Sequence, residues 1–303
     1  MSKALIRIGT RSSPLALWQA RWVQKLLKDQ NKDSELVLIQ SQGDQNSTQP
    51  LYEMNIQGVF TKALDIALLD HKIDIAVHSY KDVPTLLATG ISNFAVLKRG
   101  NVSDILVTKT AEENWPEKAK IGTSSLRRSA QWKHRYPSHD SELLRGNVQK
   151  RLETLGKSNW IGALFASAGL ERVEALPLNY MTLDWMIPAP AQGAVCIAGR
   201  TEDKDLQATI KLMECANTQT ATQQERLFLR LLEGGCSAPI GALMTPTQAG
   251  WHFKGGVFSL DGKEKAVYEN HFPIEEAEKI GALAAEAVLA DGGAAIMSAI
   301  KKK

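Results

Sequence analysis

A short strand, IRIG (residues 6–9), runs straight into Thr10-Arg11-Ser12-Ser13 and then Pro14, and this junction constrains the fold more than any other feature of the chain. Serine followed by proline is an N-cap with proline at the first helical position, so a helix opens there and continues to about residue 27. LVLIQS (36–41) is the next strand, FTKALDIALLD (60–70) has helical apolar spacing, and IDIAVHS (73–79) is a strand ending in polar residues. That is the rhythm of a parallel or mixed α/β sheet. After DILVTK (104–109) it restarts, because KIGTSSLRRSAQW repeats the strand, turn and helix pattern of IRIGTRSSPLALWQ. WIGALFASAGL (160–170) adds a buried strand and a tight turn. Two similar α/β lobes are expected. From Thr218 the character changes to a long helix through Leu232, a hairpin in VFSLDGKEKAVYENHF turning at Asp261-Gly262, and a last helix from about Ile274. These make a small third α+β domain.

Composition excludes several classes. The net charge of +3, from 36 Lys and Arg against 33 Asp and Glu, is too balanced for a general nucleic-acid binder, so any basic function must be local. The start lacks an apolar signal core, and Glu286 and Asp291 interrupt the alanine-rich tail, so neither secretion nor membrane insertion is expected. Cys196, Cys215 and Cys236 form an odd count without metal-ligand spacing, which argues against a disulfide framework and against a metal site. A cytoplasmic protein fits, and a monomer is the default expectation. Residues 42–58 are polar and weakly patterned, which suggests a flap.

In open α/β sheets ligands bind beyond the carboxyl ends of strands, where helix N-termini present unpaired N–H groups. Four such segments carry hydroxyls or cations: Thr10 to Ser13, His78 to Asp82, Thr123 to Arg128, and Leu144 to Asn147 with Arg151 beyond it. Five arginines at strand ends suggest a cleft for an anion, and arginine suits planar, bidentate carboxylates. In HSYKDVP, Pro84 biases Val83 to an extended conformation and leaves Asp82 on a loop. An aspartate on the floor of such a cleft can stay ionised, stabilise a cation and shuttle protons; it can equally cap a turn. Cys236 follows Gly234 and Gly235 in LEGGCSAPIG, so its thiol is expected on an exposed loop. A nucleophile, a cofactor attachment point and an idle small hydrophobe all remain open for it.

Taken together, IRIGTRSSPLALWQA, HSYKDVP, IGTSSLRRSAQ, LRGNVQKRL, SAGLERV, PAPAQGAV and ERLFLRLLEGGCSAPIG resemble the porphobilinogen deaminase, or hydroxymethylbilane synthase, family. The segments run in the family's order over residues 6–241. The resemblance implies two similar bilobal binding-protein-like α/β domains, 1–98 with 197–216 and 102–193, plus a C-terminal α+β domain, 218–303. It implies a transferase of tetrapyrrole synthesis that adds four porphobilinogen units head to tail, with loss of ammonia, and releases hydroxymethylbilane by hydrolysis. Cys236 matches the thiol that carries a dipyrromethane primer as a thioether, and Asp82 the catalytic carboxylate. Ser79, Lys81, Asp82, Thr123, Ser125, Arg127, Arg128, Arg145 and Gly146 match cofactor-binding positions. Arg11, Arg145, Arg151 and Arg172 match positions that bind substrate carboxylates.

Some positions depart from the family pattern: Gln57 for lysine, Ala63 for glutamate, Ala191 for glycine, Ala198 for glutamate and Ile161 for aspartate. None removes a residue assigned to chemistry, so altered lid or interdomain behaviour is expected. A non-catalytic anion-binding protein of the same fold would explain the arginines but would not need Asp82 and EGGC together. A thiol enzyme using Cys236 as a transient nucleophile would be inactivated by alkylation.

Overall fold

The computed structural model describes residues 5–40, 61–111, 115–232 and 238–302. Its strands are β1 (Ile6–Thr10), β2 (Ser34–Leu38), β3 (Ile75–Ser79), β4 (Ile91–Val96), β5 (Asp104–Thr108), β6 (Lys120–Gly122), β7 (Asp140–Glu142), β8 (Gly162–Ala166), β9 (Tyr180–Thr182), β10 (Val195–Arg200), β11 (Ile240–Thr247), β12 (Gly250–Phe258) and β13 (Lys265–Phe272). Its helices are α1 (Pro14–Asp29), α2 (Lys62–Leu69), α3 (Leu126–Arg135), α4 (Val148–Lys157), α5 (Ser167–Arg172), α6 (Lys204–Lys211), α7 (Ala216–Leu231), α8 (Ile280–Val288) and α9 (Ala294–Lys301). Chain contacts divide it into two compact units, one of Met1–Ser47, Ile56–Gly100 and Gly193–Gln219, the other of Thr48–Asn55, Asn101–Gln192 and Thr220–Lys303.

In the first unit a five-stranded sheet has the order β2-β1-β3-β10-β4. β1 is parallel to β2 and β3, while β10 is antiparallel to β3 and β4. Helix α1 forms where its sequence places it: Ser13 caps it by accepting the Ala16 N–H, and Pro14 occupies the first turn. Ala16, Ala20, Val23 and Leu27 share its buried face, each large member contributing roughly 1.5–3 kcal/mol of apolar burial.

The second unit repeats the pattern in a sheet of order β7-β6-β8-β5-β9. Here β6 is parallel to β7 and β8, and β5 is antiparallel to β8 and β9. The repeated Ile-Gly-Thr has a packing cause. Gly9 pairs with Ala76 and Gly122 with Ala163, each on the adjacent parallel strand. A Cβ at Gly9 would lie 2.2 Å from the Ile73 side chain, and one at Gly122 would lie 2.2 Å from the Trp160 ring. Both glycines let a large side chain cover the sheet.

The same unit contains the antiparallel sheet β11-β12-β13, packed by Phe228, Phe253, Ile280, Val288 and Met297. The β12–β13 turn falls at Asp261-Gly262, where Gly262 has φ +75° and its N–H bonds to the Ser259 carbonyl. The tail passes by length and composition as a candidate membrane span, Ile274–Lys301. It is nevertheless broken: a 3₁₀ segment (Ile274–Lys279) precedes α8, and Asp291 and Gly292 leave helical geometry between α8 and α9. One face, with Ile280, Ala284, Val288 and Ile296, is core.

Several boundaries differ from the sequence reading. β2 begins at Ser34 and ends at Leu38, and the tight turn after β8 is the short helix α5. Asp82 ends a one-turn 3₁₀ helix, Tyr80–Asp82, rather than lying on an irregular loop, because the Val83 N–H closes onto the Tyr80 carbonyl before Pro84 stops the turn. The expected flap at 42–58 lies outside the described residues, as does Cys236.

Candidate functional site

In the first unit, the carboxyl ends of the adjacent parallel strands β1 and β3 carry Arg11 and Ser79. Arg11, Ser13, Gln19, Thr61, His78, Ser79 and Asp82 line one recess of about 70 Å³ there. Gln19, 2% exposed on α1, donates to the Ser79 hydroxyl at 2.9 Å. Burial and the nearby Arg11 charge push the His78 imidazole down to about 4, so it is neutral at physiological pH. Lys81 is half-buried on the same turn and is not part of that lining. The recess thus combines a carboxylate, a guanidinium, hydroxyls and a neutral imidazole.

In the second unit, Thr123 and Ser125 flank the turn from β6 into α3. Thr123 Oγ1 accepts the Ser125 N–H at 3.2 Å, and Ser125 caps α3 by accepting the Arg128 N–H. Ser124 Oγ donates to the Leu144 carbonyl and accepts the Leu144 N–H at 3.2 Å, which joins this turn to the segment carrying Arg145 and Gly146. Gly146 has φ +100°, a left-handed conformation that glycine adopts cheaply, and its carbonyl accepts from Arg151 Nε at 2.8 Å. Thr123, Ser125, Arg145, Gly146 and Arg151 are therefore brought into one neighbourhood. Burial lowers the pKa of Arg145 and of Arg172, Arg172 against the opposing pull of Glu171.

Arg127 and Arg128 are 5% and 6% exposed, and both engage Asp104, which is fully buried. Arg127 meets its two oxygens at 2.6 and 3.2 Å and donates to the Ile187 carbonyl at 2.7 Å. Arg128 reaches Oδ1 through Nε at 2.8 Å and donates to the Leu164 carbonyl at 3.1 Å. The two arginines hold the Asp104 carboxyl well below the usual carboxylate range despite its burial. Gln192 also donates to Asp104, at 3.1 Å.

Sequence reasoning missed Gln19, Asp104, Gln192 and Glu225, and gave His78 no role. The one available signal was a charged residue opening the apolar strand DILVT. Among the departures, Ala191 has φ +60°, and its N–H donates to the Glu225 carboxylate at 2.7 Å. Glu225 also accepts the Met244 N–H at 2.8 Å. Ala198 is buried in β10, while Ala63 and Ile161 are half-buried. Gln57 lies outside the described residues.

Residues 6–208 match the family profile described as porphobilinogen deaminase, dipyromethane cofactor binding domain, and residues 219–290 match porphobilinogen deaminase, C-terminal domain. A porphobilinogen deaminase of Syntrophotalea carbinolica is 38% identical over 99% of this chain and 97% of its own length. One of Desulforamulus reducens is 36% identical over 99% of both chains. Among solved structures, the periplasmic VFT2 domain of Bordetella pertussis BvgS aligns at 11% identity with a TM-score of 0.42, covering 68% of this chain and 85% of that one.

Proposed function

The chain belongs to the porphobilinogen deaminase family, with its dipyrromethane-cofactor-binding domain, and from that premise we propose how its own residues serve the reaction. The reaction joins four porphobilinogen units head to tail with release of ammonia and ends in hydrolysis to hydroxymethylbilane. In the second unit Arg128, Arg145, Thr123 and Ser125 offer the cations and hydroxyls that the acetate and propionate groups of a dipyrromethane need, and in the first unit Asp82 offers an acceptor of the kind its pyrrole N–H groups need. Bound to Cys236 as a thioether, that group supplies the free pyrrole carbon that accepts the first substrate unit.

Asp82 is the catalytic residue in this reading. The observation that carries it is the shared recess, where Asp82 stands with Arg11, Ser79 and the neutral His78. Asp82 holds pyrrole N–H groups, stabilises the cation that forms as ammonia leaves the aminomethyl arm, and takes the proton that the attacking pyrrole α-carbon loses once the new carbon–carbon bond has formed. Because His78 stays neutral, it adds no second positive charge beside Arg11. Arg11, Arg145, Arg151 and Arg172 bind substrate carboxylates. Desolvated guanidiniums such as Arg145 and Arg172 interact with an incoming carboxylate more strongly than solvated ones would. Ser79, held by Gln19, and Lys81 and Gly146 orient the primer.

The proposal extends to a cytoplasmic monomer of three domains, 1–98 with 197–216, 102–193 and 218–303, acting on a small molecule without nucleic acid or membrane. The balanced charge and the three separate sheets support it. Asp82→Asn is the direct test. Turnover should fall at least ~100-fold, the lower end of what acid–base catalysis supplies, with the fold unchanged by circular dichroism. Near-normal turnover would assign the proton transfer to another group.

A further inference from the structure

Arg127 and Arg128 occupy the first turn of α3, where the helix dipole opposes positive charge. They are nevertheless buried there together, sharing a single carboxylate. Two guanidiniums on one carboxylate leave an excess positive charge, and here, unlike at the partly exposed Asp74, the carboxylate is fully buried. The cluster is fixed on every side. Arg127 is held end-on by both Asp104 oxygens and by the Ile187 carbonyl, Arg128 through Nε and the Leu164 carbonyl. Gln192 ties Asp104 to the Val102 carbonyl at 2.8 Å, and Gln131 both donates to the Ile187 carbonyl and accepts its N–H.

Resting on the reading of Arg127 and Arg128 as cofactor-binding positions, we infer that Asp104 is a positioning residue for the reaction, fixing both guanidinium planes so that the pair meets a ligand carboxylate preformed. Asp104 is far too enclosed to touch the ligand, at 0% exposure, and works only through the two arginines. Gln192 is the second member of the device, because its amide fixes the Asp104 carboxylate in turn. Losing the Asp104 charge leaves two unpaired cations that turn away from each other, and carboxylate binding weakens more than bond-making does.

The experiment compares Asp104→Asn, Asp104→Glu and, as a purely structural control, Asp74→Asn, whose carboxylate pairs with Arg7 and Arg200 in the first unit. Intact mass gives the fraction carrying the two-pyrrole adduct, steady-state kinetics per loaded molecule gives KM and kcat, and the arginine Nε–H resonances report the guanidiniums directly. Asp104→Asn should lower adduct occupancy below half, raise KM at least ~10-fold with kcat within ~3-fold, and shift the Arg128 Nε–H signal. Asp104→Glu should restore occupancy in part, and Asp74→Asn should lower the melting temperature with occupancy and KM unchanged. A folded Asp104→Asn with full occupancy and KM within twofold of wild type overturns the inference. If Asp104→Asn does not fold, Gln192→Leu replaces it, with a KM rise of at least ~3-fold expected and an unchanged KM again overturning it. Failure of the underlying reading is distinguishable, since wild-type protein would then neither carry the adduct nor consume porphobilinogen.

Discussion

His78 ends up 6% exposed on β3, and burial together with Arg11 moves its pKa from 6.5 to about 4. Between those values the unfolded chain binds a proton that the folded one refuses, so stability rises with pH across the window and is lost as pH falls from 6.5 towards 4. The whole contribution is about 3 kcal/mol at ~1.4 kcal/mol per pH unit. His78→Gln should therefore flatten the pH dependence of urea unfolding between pH 6.5 and 4, and an unchanged slope would show that His78 is protonated in the folded state. Ala191 is the other residue whose backbone matters. At φ +60° it bears about 1–2 kcal/mol of left-handed strain, of which glycine would return part after its own entropy cost. Ala191→Gly should be neutral to stabilising by up to ~1 kcal/mol in chemical denaturation. A clear loss would mean that the methyl group, in a residue that is fully buried, packs more favourably than its backbone costs.

At the scale of elements, β1 with α1 and β6 with α3 are built alike, each with a serine cap and a glycine that admits a large side chain. Gly122→Ala should cost about 1–3 kcal/mol by overpacking against Trp160, read as a drop in the urea midpoint. These elements were legible in the sequence because their determinants are local: an N-cap, a proline at N1, an apolar run. Strand β10 was not legible locally, since VCIAGR joins the first sheet between β3 and β4 and nothing near it in the chain signals that pairing; only the family resemblance grouped 197–216 with 1–98. The break in the C-terminal helix at Asp291-Gly292 was equally hidden, though glycine there, at φ +92°, supplies the local means. For the candidate site, the strand-end residues were legible as a set. The partnership of Asp104 with Arg127 and Arg128 was not, because it joins side chains 23 and 24 residues apart through tertiary packing.

For the whole molecule, a net charge of +3 conceals local concentrations of cations. Each unit sets an acid between arginines, a half-buried Asp74 between Arg7 and Arg200 in one and a fully buried Asp104 between Arg127 and Arg128 in the other. Further arginines stand at strand ends: Arg11 lines one recess with Asp82, and Arg145 and Arg151 gather at Gly146. A multiply carboxylated ligand answers that arrangement, and a covalently retained primer is the central claim built on it. Intact-mass measurement of the purified protein, followed by peptide mapping, tests it most directly. The account predicts a stable added mass of two pyrrole units on the peptide containing Cys236; active protein of unmodified mass, with Cys236 free, would contradict it.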